Sequence, residues 1–375
     1  MNAARPDVIV VGGGVLGCAI ALRLADDKIS TIVLERAVPG AEASSAAAGI
    51  LGPALEAGAS RSALAFGIRS RHLHATLADR FRAEHGMDVG FRPSGALVVA
   101  LNEEENRELE VQADSLRAHD VRCSLLDAAA ARALEPQLSN RVLRALELPD
   151  EAQVDPPLLL KALAMTAERA GAQFRAGTTV RRIVVGDHRV QGVELDDGLL
   201  EAGIVIVAAG SWTSLVPGLP LPPKTIFPIR GQLLMCDTRP PVFSRIVFGA
   251  GGYVVTRPDG RALCGSTMED VGFDRAVTMG GLESILRTAI ALAPSLRQAP
   301  VMSHWSSFRP ATADGEPLIG RLPPEGLFVA SGHFRNGILL APATADLIAQ
   351  AIAGKVGSEL TAYDPQRFLP ATRPR

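Results

Sequence analysis

The sequence predicts an α/β fold with a multi-segment Rossmann-like domain and a second domain built on a mostly antiparallel β-sheet. Three observations support this. Residues 7–35 run as strand, glycine turn, helix and strand. Further strands of the same buried type come much later, at 203–207 and 327–330, so the first domain must be assembled from separate segments. Strand-like pieces dominate between the proline-rich stretch 216–223 and about residue 267, a pattern typical of an antiparallel sheet.

The first strand and the turn after it have the order of a dinucleotide-binding unit. Asp7–Val11 is short and β-branched, as expected for a strand buried on both faces. The turn matches G-x-G-x-x-G. Gly12 permits a tight turn, Gly14 lets the backbone approach a pyrophosphate, and Gly17 lets the following helix, Cys18–Ala25, pack closely.

The second strand ends in an acidic residue. Thr31–Leu34 is followed directly by Glu35. A pyrophosphate would lie at the helix N-terminus, and Glu35 would bind the ribose hydroxyls. Its negative charge disfavours a 2′-phosphate and hence NADP. The motif leaves NAD and FAD as alternatives.

The segment 40–53, GAEASSAAAGILGP, is small and flexible. It fits an exposed linker, but the run Ser44–Gly49 would also let backbone lie against a flat ring system. Beyond it, periodicity predicts helices, a strand and a hairpin. The helices are 62–85, 102–118 and 155–170, the strand is 95–100, and the hairpin is 182–185 with 190–195.

The later elements complete the nucleotide domain. The strand that begins at Gly203 ends in a turn with Gly210 and Trp212, which suits close approach of a cofactor. The proline-rich stretch 216–223 is typical of a domain crossing. A last helix is predicted over 340–353, with Pro342 in its first turn and Gly354 at its end.

Composition bounds the class of protein. The chain has 375 residues, 47% apolar and 21% charged, which predicts one large or two medium folded domains. Its 38 Lys and Arg against 40 Asp and Glu, without a basic run, argue against nucleic acid as a partner. The cysteines are scattered without metal-ligand spacing, which predicts reduced thiols in a cytoplasmic protein and no metal site. They are Cys18, Cys123, Cys236 and Cys264.

The uncharged run 8–22 is similar to the core of a signal peptide. It contains four glycines and is followed by another strand-like run without a cleavage site, so we expect no targeting peptide here. No other uncharged run is long enough to span a bilayer, and no integral membrane segment is expected.

Two arginines near the C-terminus lie among Gly, Pro and apolar residues. They are Arg309 and Arg335. A planar guanidinium suits a carboxylate held in two-point contact, and Pro310 restricts the backbone from which the Arg309 side chain starts. The alternative for each arginine is to fix a turn by bonding backbone carbonyls.

Several longer motifs accompany the glycine turn and Glu35. They are GAEASSAAAGILGP (40–53), AAGSWT (208–213), IRGQ (229–232), GSTMEDVGFD (265–274), FRPATADGEPLIG (308–320) and GHFRNGILLAPAT (332–344). With these parts in order, nearly the whole chain resembles the FAD-dependent D-amino-acid oxidase superfamily and, within it, the glycine oxidases of thiamine biosynthesis. The last three motifs are far more specific than the glycine turn.

The resemblance implies noncovalent FAD in a domain of the glutathione-reductase type, formed by residues 1–85, 150–215 and 305–365. A substrate-binding domain would comprise 86–149 and 216–304. The implied reaction is oxidation of glycine, sarcosine or a small D-amino acid by hydride transfer to flavin N5, for thiamine thiazole synthesis. A small amino-acid substrate and molecular oxygen are the expected partners, with hydrogen peroxide as a product. Homo-oligomerisation is left open.

By position, the resemblance also implies residue roles. Arg309 corresponds to the substrate-carboxylate arginine, Tyr253 to a tyrosine that helps to bind the carboxylate, and Arg335 to an arginine beside flavin and substrate. For Arg335, substrate contact and support of the flavin or its loop are equal alternatives, and for Tyr253 the alternative is an ordinary core tyrosine. The predicted cofactor-binding residues are Gly12, Gly14, Gly17, Glu35, Arg36, Ser44, Ser45, Ala48, Gly49, Val180, Gly210, Trp212, Gly332, His333, Arg335, Asn336, Gly337 and Ile338.

The chain departs from its relatives at two positions. Ile50 stands where they usually have Met, beside the expected flavin face, and Phe308 replaces the more usual Leu before Arg309. The segment GHFRNG contains no cysteine, so covalent flavin attachment is not expected.

Other functions compete with the oxidase. A dehydrogenase could pass the electrons to a quinone or a carrier. A tRNA-modifying flavin domain would need a basic surface, against which the balanced charge argues. A noncatalytic binding protein would show no turnover.

Overall fold

A computed structural model describes residues 5–55, 60–355 and 357–370. The strands, in chain order, are β1 Val8–Val11, β2 Thr31–Leu34, β3 Ile50–Leu51, β4 Ala96–Ala100, β5 Ser124–Asp127, β6 Arg144–Leu148, β7 Ala152–Gln153, β8 Gln173–Arg175, β9 Arg182–Gly186, β10 Arg189–Leu195, β11 Gly198–Glu201, β12 Ile204–Val207, β13 Ile226–Asp237, β14 Ile246–Gly249, β15 Gly252–Thr256, β16 Arg261–Gly265, β17 Val301–Thr312, β18 Leu318–Leu322 and β19 Leu327–Ser331. The helices are α1 Val15–Asp26, α2 Ala43–Ala46, α3 Arg61–His85, α4 Glu103–Ala118, α5 Ala128–Leu134, α6 Pro156–Ala170, α7 Met279–Leu292, α8 Gly337–Ile352 and α9 Ser358–Ala362.

The first sheet is Rossmann-like and has the order β18-β19-β12-β1-β2-β8. Strands β19, β12, β1, β2 and β8 run parallel, and β18 adds an antiparallel edge. Val8 and Val10 face the helices α1, α6 and α8, whereas Ile9 and Val11 pack against the hairpin sheet β11-β10-β9. The sequence of β1 is continuously apolar because its side chains are buried on both faces of the sheet.

The second sheet is mostly antiparallel, in the order β17-β13-β16-β15-β14-β4-β6-β5, with a parallel β14–β4 pair. One face packs on α7. The other face is covered by α4 at one end. The rest of that face is the wall of a cavity. The fold class predicted from the sequence is therefore confirmed.

One strand crosses a predicted domain boundary. The strand β17 spans 301–312 and pairs with β13 along its length, so the boundary expected at 304/305 falls inside a strand of the second sheet. The division of the chain into the two predicted domains stays a proposal. Its first segment, 1–85, includes residues 1–4 and 56–59, which lie outside the described part of the chain.

The last helix starts earlier than predicted. The helix α8 begins at Gly337, so Pro342 lies inside it and not in its first turn. Proline lacks the N–H that would bond the carbonyl four residues back. Side chains from α3 bond the carbonyls near this gap: Ser70 Oγ donates to Leu339 O at 2.6 Å, and His74 Nε2 lies 2.9 Å from Ile338 O. These contacts between distant segments let the helix continue through Pro342.

Candidate active site

A cavity of about 990 Å³ lies where the two sheets meet. It is lined by the carboxyl ends of β1, β2 and β12, by the segment before α8, and by one face of the second sheet. Ligands of open α/β sheets bind at the carboxyl ends of the strands. Its volume is at the upper end of the roughly 300–1,000 Å³ typical of ligand pockets.

The nucleotide end of the cavity has the packing that the glycine motif predicts. Gly12 has a φ of +110°, and a Cβ there would lie 2.5 Å from Ala208 O. A Cβ on Gly17 would lie 1.9 Å from Gly12 O, so Gly17 serves helix packing and does not line the cavity. Glu35 accepts hydrogen bonds from Gly13 N at 2.8 Å and Ala37 N at 2.9 Å, which holds its carboxylate at the cavity wall.

An aromatic and cationic cluster lies beside this end. The Arg36 guanidinium stacks on the Trp212 ring at 4.2 Å from its centroid, and Arg36 is also paired with Glu42 at 2.6 Å. Phe273 packs on Trp212 with the ring centroids 5.3 Å apart. Such stacking fixes the orientation of both Arg36 and Trp212.

The small-residue segment forms the middle of the wall. Ala48 O accepts a hydrogen bond from Arg257 Nη2 at 2.6 Å, and Arg257 Nη1 donates to Gln153 Oε1 at 2.6 Å. Arg257 is buried, and burial lowers its pKa to about 10. Gly49 has a φ of +76°, and a Cβ there would lie 2.0 Å from Val154 O, so only glycine fits. Ala48 and Gly49 are thus held rigidly against the cavity.

The segment before α8 closes the far end of the cavity. His333 is buried, and burial lowers its pKa to about 3, so the ring is neutral. Its Nε2 lies 2.9 Å from Thr344 Oγ1, while Nδ1 is buried without a partner among the described residues. Backbone N–H groups at the start of α8 and the Nδ1 atom therefore remain available to a ligand in this cavity.

Arg309 lies on β17 and reaches across the second sheet. Its Nη2 donates to Ser266 Oγ at 2.7 Å and its Nη1 to Thr267 O at 3.1 Å, so the turn-fixing alternative accounts for part of its bonding. A Cβ on Gly231 would lie 2.2 Å from Nη1, which means that the guanidinium rests directly over this glycine. Desolvation lowers the pKa of Arg309, but the group remains a cation.

Tyr253 lies next to this arginine. Burial raises the pKa of its hydroxyl, and the charge of Arg309 lowers it in part. Phe248 packs on the tyrosine ring with the centroids 5.4 Å apart. Tyr253 and Arg309 thus form one polar corner, held on β15 and β17, inside an otherwise largely apolar wall.

The structure brings most of the sequence-predicted site residues together. The residues that line the cavity are Gly12, Gly14, Glu35, Arg36, Ser44, Ala48, Gly49, Val180, Gly210, Trp212, Tyr253, Arg309, His333, Arg335, Asn336, Gly337 and Ile338. Gly17, Ser45 and Gly332 lie outside the lining, because Gly17 and Gly332 pack against neighbouring chain and Ser45 lines a separate shallow cavity. The residues that sequence reasoning missed include Leu55, Val98, Leu233, Phe248, Ser266 and Met268.

Three further findings concern the described residues as a whole. No three of their His, Cys, Asp and Glu side chains come together in a way that could hold a metal ion. None of the helices in the described ranges has the length and apolar character to cross a membrane. Cys18, Cys123, Cys236 and Cys264 are all free thiols.

Comparison with known proteins identifies the family. A family described as FAD dependent oxidoreductase, DAO, matches residues 7–351. A glycine oxidase of Geobacillus kaustophilus is 35% identical over 97% of this chain and 96% of its own length. A crystal structure of glycine oxidase from that organism covers 98% of this chain and 100% of its own, with 34% identity and a TM-score of 0.91.

A third relative is longer. The bifunctional protein ThiO/ThiG of Synechocystis is 35% identical over 98% of this chain, and the chain spans only 55% of that protein's length.

The cavity fits the family's cofactor, since it joins a dinucleotide cradle at Gly12 and Glu35 to the unpartnered Nδ1 of His333. The chain therefore belongs to the family of FAD-dependent oxidoreductases, and FAD is its cofactor.

Proposed function

We propose that this protein oxidises a small amino acid or N-alkylglycine, such as glycine, sarcosine or a small D-amino acid, to an imine. The imine hydrolyses to a 2-oxo acid, and molecular oxygen is reduced to hydrogen peroxide. One observation carries the proposal: the Arg309 guanidinium lies in the same cavity as the dinucleotide cradle. FAD, bound noncovalently there, supplies the acceptor for the hydride from the substrate α-carbon.

Arg309 and Tyr253 bind the substrate carboxylate. The guanidinium is already oriented by Ser266 Oγ and Thr267 O, so little side-chain entropy is lost when a carboxylate arrives. The tyrosine keeps its proton, because burial raises the pKa of its hydroxyl, and it can therefore donate a hydrogen bond. Two anchors on the carboxylate fix the α-carbon, and orientation of this kind accounts for much of the barrier reduction in such reactions.

Residues 333–338 contact the cofactor. The N-terminus of α8 directs backbone N–H groups and a positive dipole into the cavity, where they stabilise negative charge that develops on a bound ligand. Arg335 lines the same region and adds a permanent positive charge. Substrate contact and support of the cofactor remain alternatives for it. Burial lowers the pKa of His333 to about 3, so its imidazole is too weak a base to take a proton from the substrate amine, and we expect the amine to arrive deprotonated.

The relatives support a role in thiamine biosynthesis. A glycine oxidase and a bifunctional ThiO/ThiG protein are both similar over nearly all of this chain. We propose that the imine formed here, before it hydrolyses, enters synthesis of the thiamine thiazole ring. The four free thiols support a reducing, cytoplasmic location.

The test begins with purified, FAD-loaded protein under anaerobic conditions. Addition of glycine, sarcosine or D-alanine should bleach the flavin absorbance, and air should restore it with one hydrogen peroxide released per substrate. Failure with all three compounds would refute the proposal. Rapid bleaching without peroxide, together with reduction of an artificial dye, would instead identify a dehydrogenase that uses another acceptor. Arg309→Ala should retain FAD and lose substrate binding, and unchanged kinetics would refute its assignment.

A further inference from the structure

A row of paired residues crosses the cavity face of the second sheet. The strand register aligns Leu233 with Gly265, Gly265 with Tyr253, Tyr253 with Phe248, and Phe248 with Val98. Residues paired across a sheet lie on the same face, so these side chains point to the same side as Tyr253. All of them except Gly265 line the cavity. The row thus continues the wall beyond the carboxylate-binding corner.

The row leads into a chamber with apolar walls. We call the space between Ile50, Leu55, Val98 and Phe248 the apolar chamber. All four side chains pack against the same buried cluster, and all four line the cavity. A Cβ on Gly52 would lie 2.3 Å from Leu55 Cδ1 and 3.2 Å from Ile50 Cγ2, so Gly52 leaves room for both side chains. The exposed Glu108 marks the outer end of this part of the cavity.

The distance of the chamber from Tyr253 indicates the length of ligand that it fits. Neighbouring strands lie about 4.8 Å apart, so Val98 on β4 is roughly 10 Å from Tyr253 on β15. Glycine has no group that would enter this space, and its binding would leave the four side chains facing water. An apolar substituent of about two to four carbons would cover them, with a gain of about fourfold in affinity per methylene.

We propose that the apolar chamber is a substrate subsite, and that this protein prefers amino or N-alkylamino carboxylates with an apolar substituent larger than methyl. The inference rests on the proposed oxidase function and names the substrate class within it. The substrate carboxylate lies at Arg309 and Tyr253, and the substituent lies along Phe248 towards Val98. A cationic or acidic substituent would lose its hydration in the chamber, so it is disfavoured.

Binding of simple carboxylates tests the subsite without turnover. Acetate, propionate, butyrate, valerate and hexanoate would be titrated into the FAD-loaded protein by calorimetry and by thermal shift. The dissociation constant should fall about fourfold per methylene over the first two or three methylenes and then level off. Constants equal within twofold across the series would overturn the proposal, since the chamber would then serve only the cofactor.

A variant that fills the chamber provides the second arm. Val98→Trp should reduce the preference for hexanoate over acetate at least tenfold. Val185→Trp is the matched control, because Val185 is 44% exposed on β9 in the hairpin sheet and should keep the wild-type preference. Loss of FAD from Val98→Trp with an unchanged carboxylate preference would contradict the subsite.

Anaerobic bleaching by glycine, D-norvaline and D-leucine then separates the two proposals. Faster bleaching by the longer substrates supports both. A clear carboxylate trend without bleaching by any amino acid would refute the oxidase function while the chamber's preference stands. Bleaching by glycine alone, with a flat carboxylate series, would refute the subsite and leave the oxidase function in place.

Discussion

Substitution of Gly231 by alanine tests whether the position of the Arg309 guanidinium controls catalysis. The new Cβ would lie 2.2 Å from Nη1 and 2.4 Å from Cζ and Nη2 of Arg309, whereas ordinary contact begins at 3.4 Å. Gly231 pairs with Ser307 inside the sheet, so its backbone is fixed and the flexible arginine must move, by about 1 Å. That movement would break the bonds of the guanidinium to Ser266 Oγ and Thr267 O.

A misplacement of this size can cost about 100-fold in rate, or about 2.7 kcal/mol of transition-state stabilisation. The assay is kcat/KM for flavin reduction with glycine and D-norvaline, alongside FAD content and Tm. Gly280→Ala is the matched control, since no heavy atom lies within 4 Å of a Cβ there, and its kcat/KM should stay within about threefold of wild type. If the kcat/KM of Gly231→Ala also stays within about threefold of wild type while FAD is retained, the position of the Arg309 guanidinium does not control the rate, and the prediction is refuted.

Three further substitutions test buried polar contacts. Burial raises the pKa of Glu151 to about 7, although Arg71 lies nearby. Above pH 4.5 the carboxyl group therefore keeps its proton in the folded state but loses it in the unfolded chain. The stability of the fold falls as the pH rises from 4.5 towards 7. Glu151→Gln removes this pH dependence. The unfolding free energy of the variant, relative to that of wild type, should therefore rise by about 3 kcal/mol between pH 4.5 and 8. A difference between the two proteins that does not change with pH would contradict the raised pKa. Arg257→Met leaves Ala48 O and Gln153 Oε1 without the donor that Arg257 supplies. The unfolding free energy should fall by about 2–4 kcal/mol, and FAD should be lost faster on dilution. An unchanged Tm and FAD content would show that Arg257 does not hold this part of the cavity wall. Ser70→Ala should lower the unfolding free energy by about 1 kcal/mol, because Ala343 N loses its side-chain acceptor and Leu339 O keeps only the longer contact of 3.2 Å with His74 Nε2. Urea unfolding with the same midpoint as wild type would argue against the Ser70 contact.

The nucleotide half of the site could be predicted from the sequence because its determinants are local. Gly12, Gly17 and Glu35 lie within one strand–helix–strand unit; the two glycines make the close packing that their spacing indicates, and binding of the ribose by Glu35 stays a prediction. Arg309 is a cation among small and apolar residues, which suits a carboxylate ligand, but the sequence pattern alone leaves turn fixing as an alternative, and only the resemblance favours the substrate carboxylate.

The other half depends on long-range pairing that no local pattern specifies. Val98 and Phe248 become neighbours only because β4 pairs in parallel with β14. Arg257 is in a turn sequence typical of an exposed position, yet Ala48 O, more than 200 residues earlier, binds it in the interior. The predicted start of α8 is wrong for the same reason, since the side chains that stabilise the helix before Pro342 come from α3.

The strand order of the Rossmann-like sheet has a consequence for synthesis of the chain on the ribosome. The strand β1 pairs on one side with β2, which follows it closely, but on the other side with β12, about 200 residues later. At about 5–20 residues per second, β1 waits roughly 10–40 s for that partner. During this time one edge of an apolar strand, Val8–Val11, is unpaired, which makes it a site for aggregation or chaperone binding. The FAD cradle can therefore form only after most of the chain has been translated.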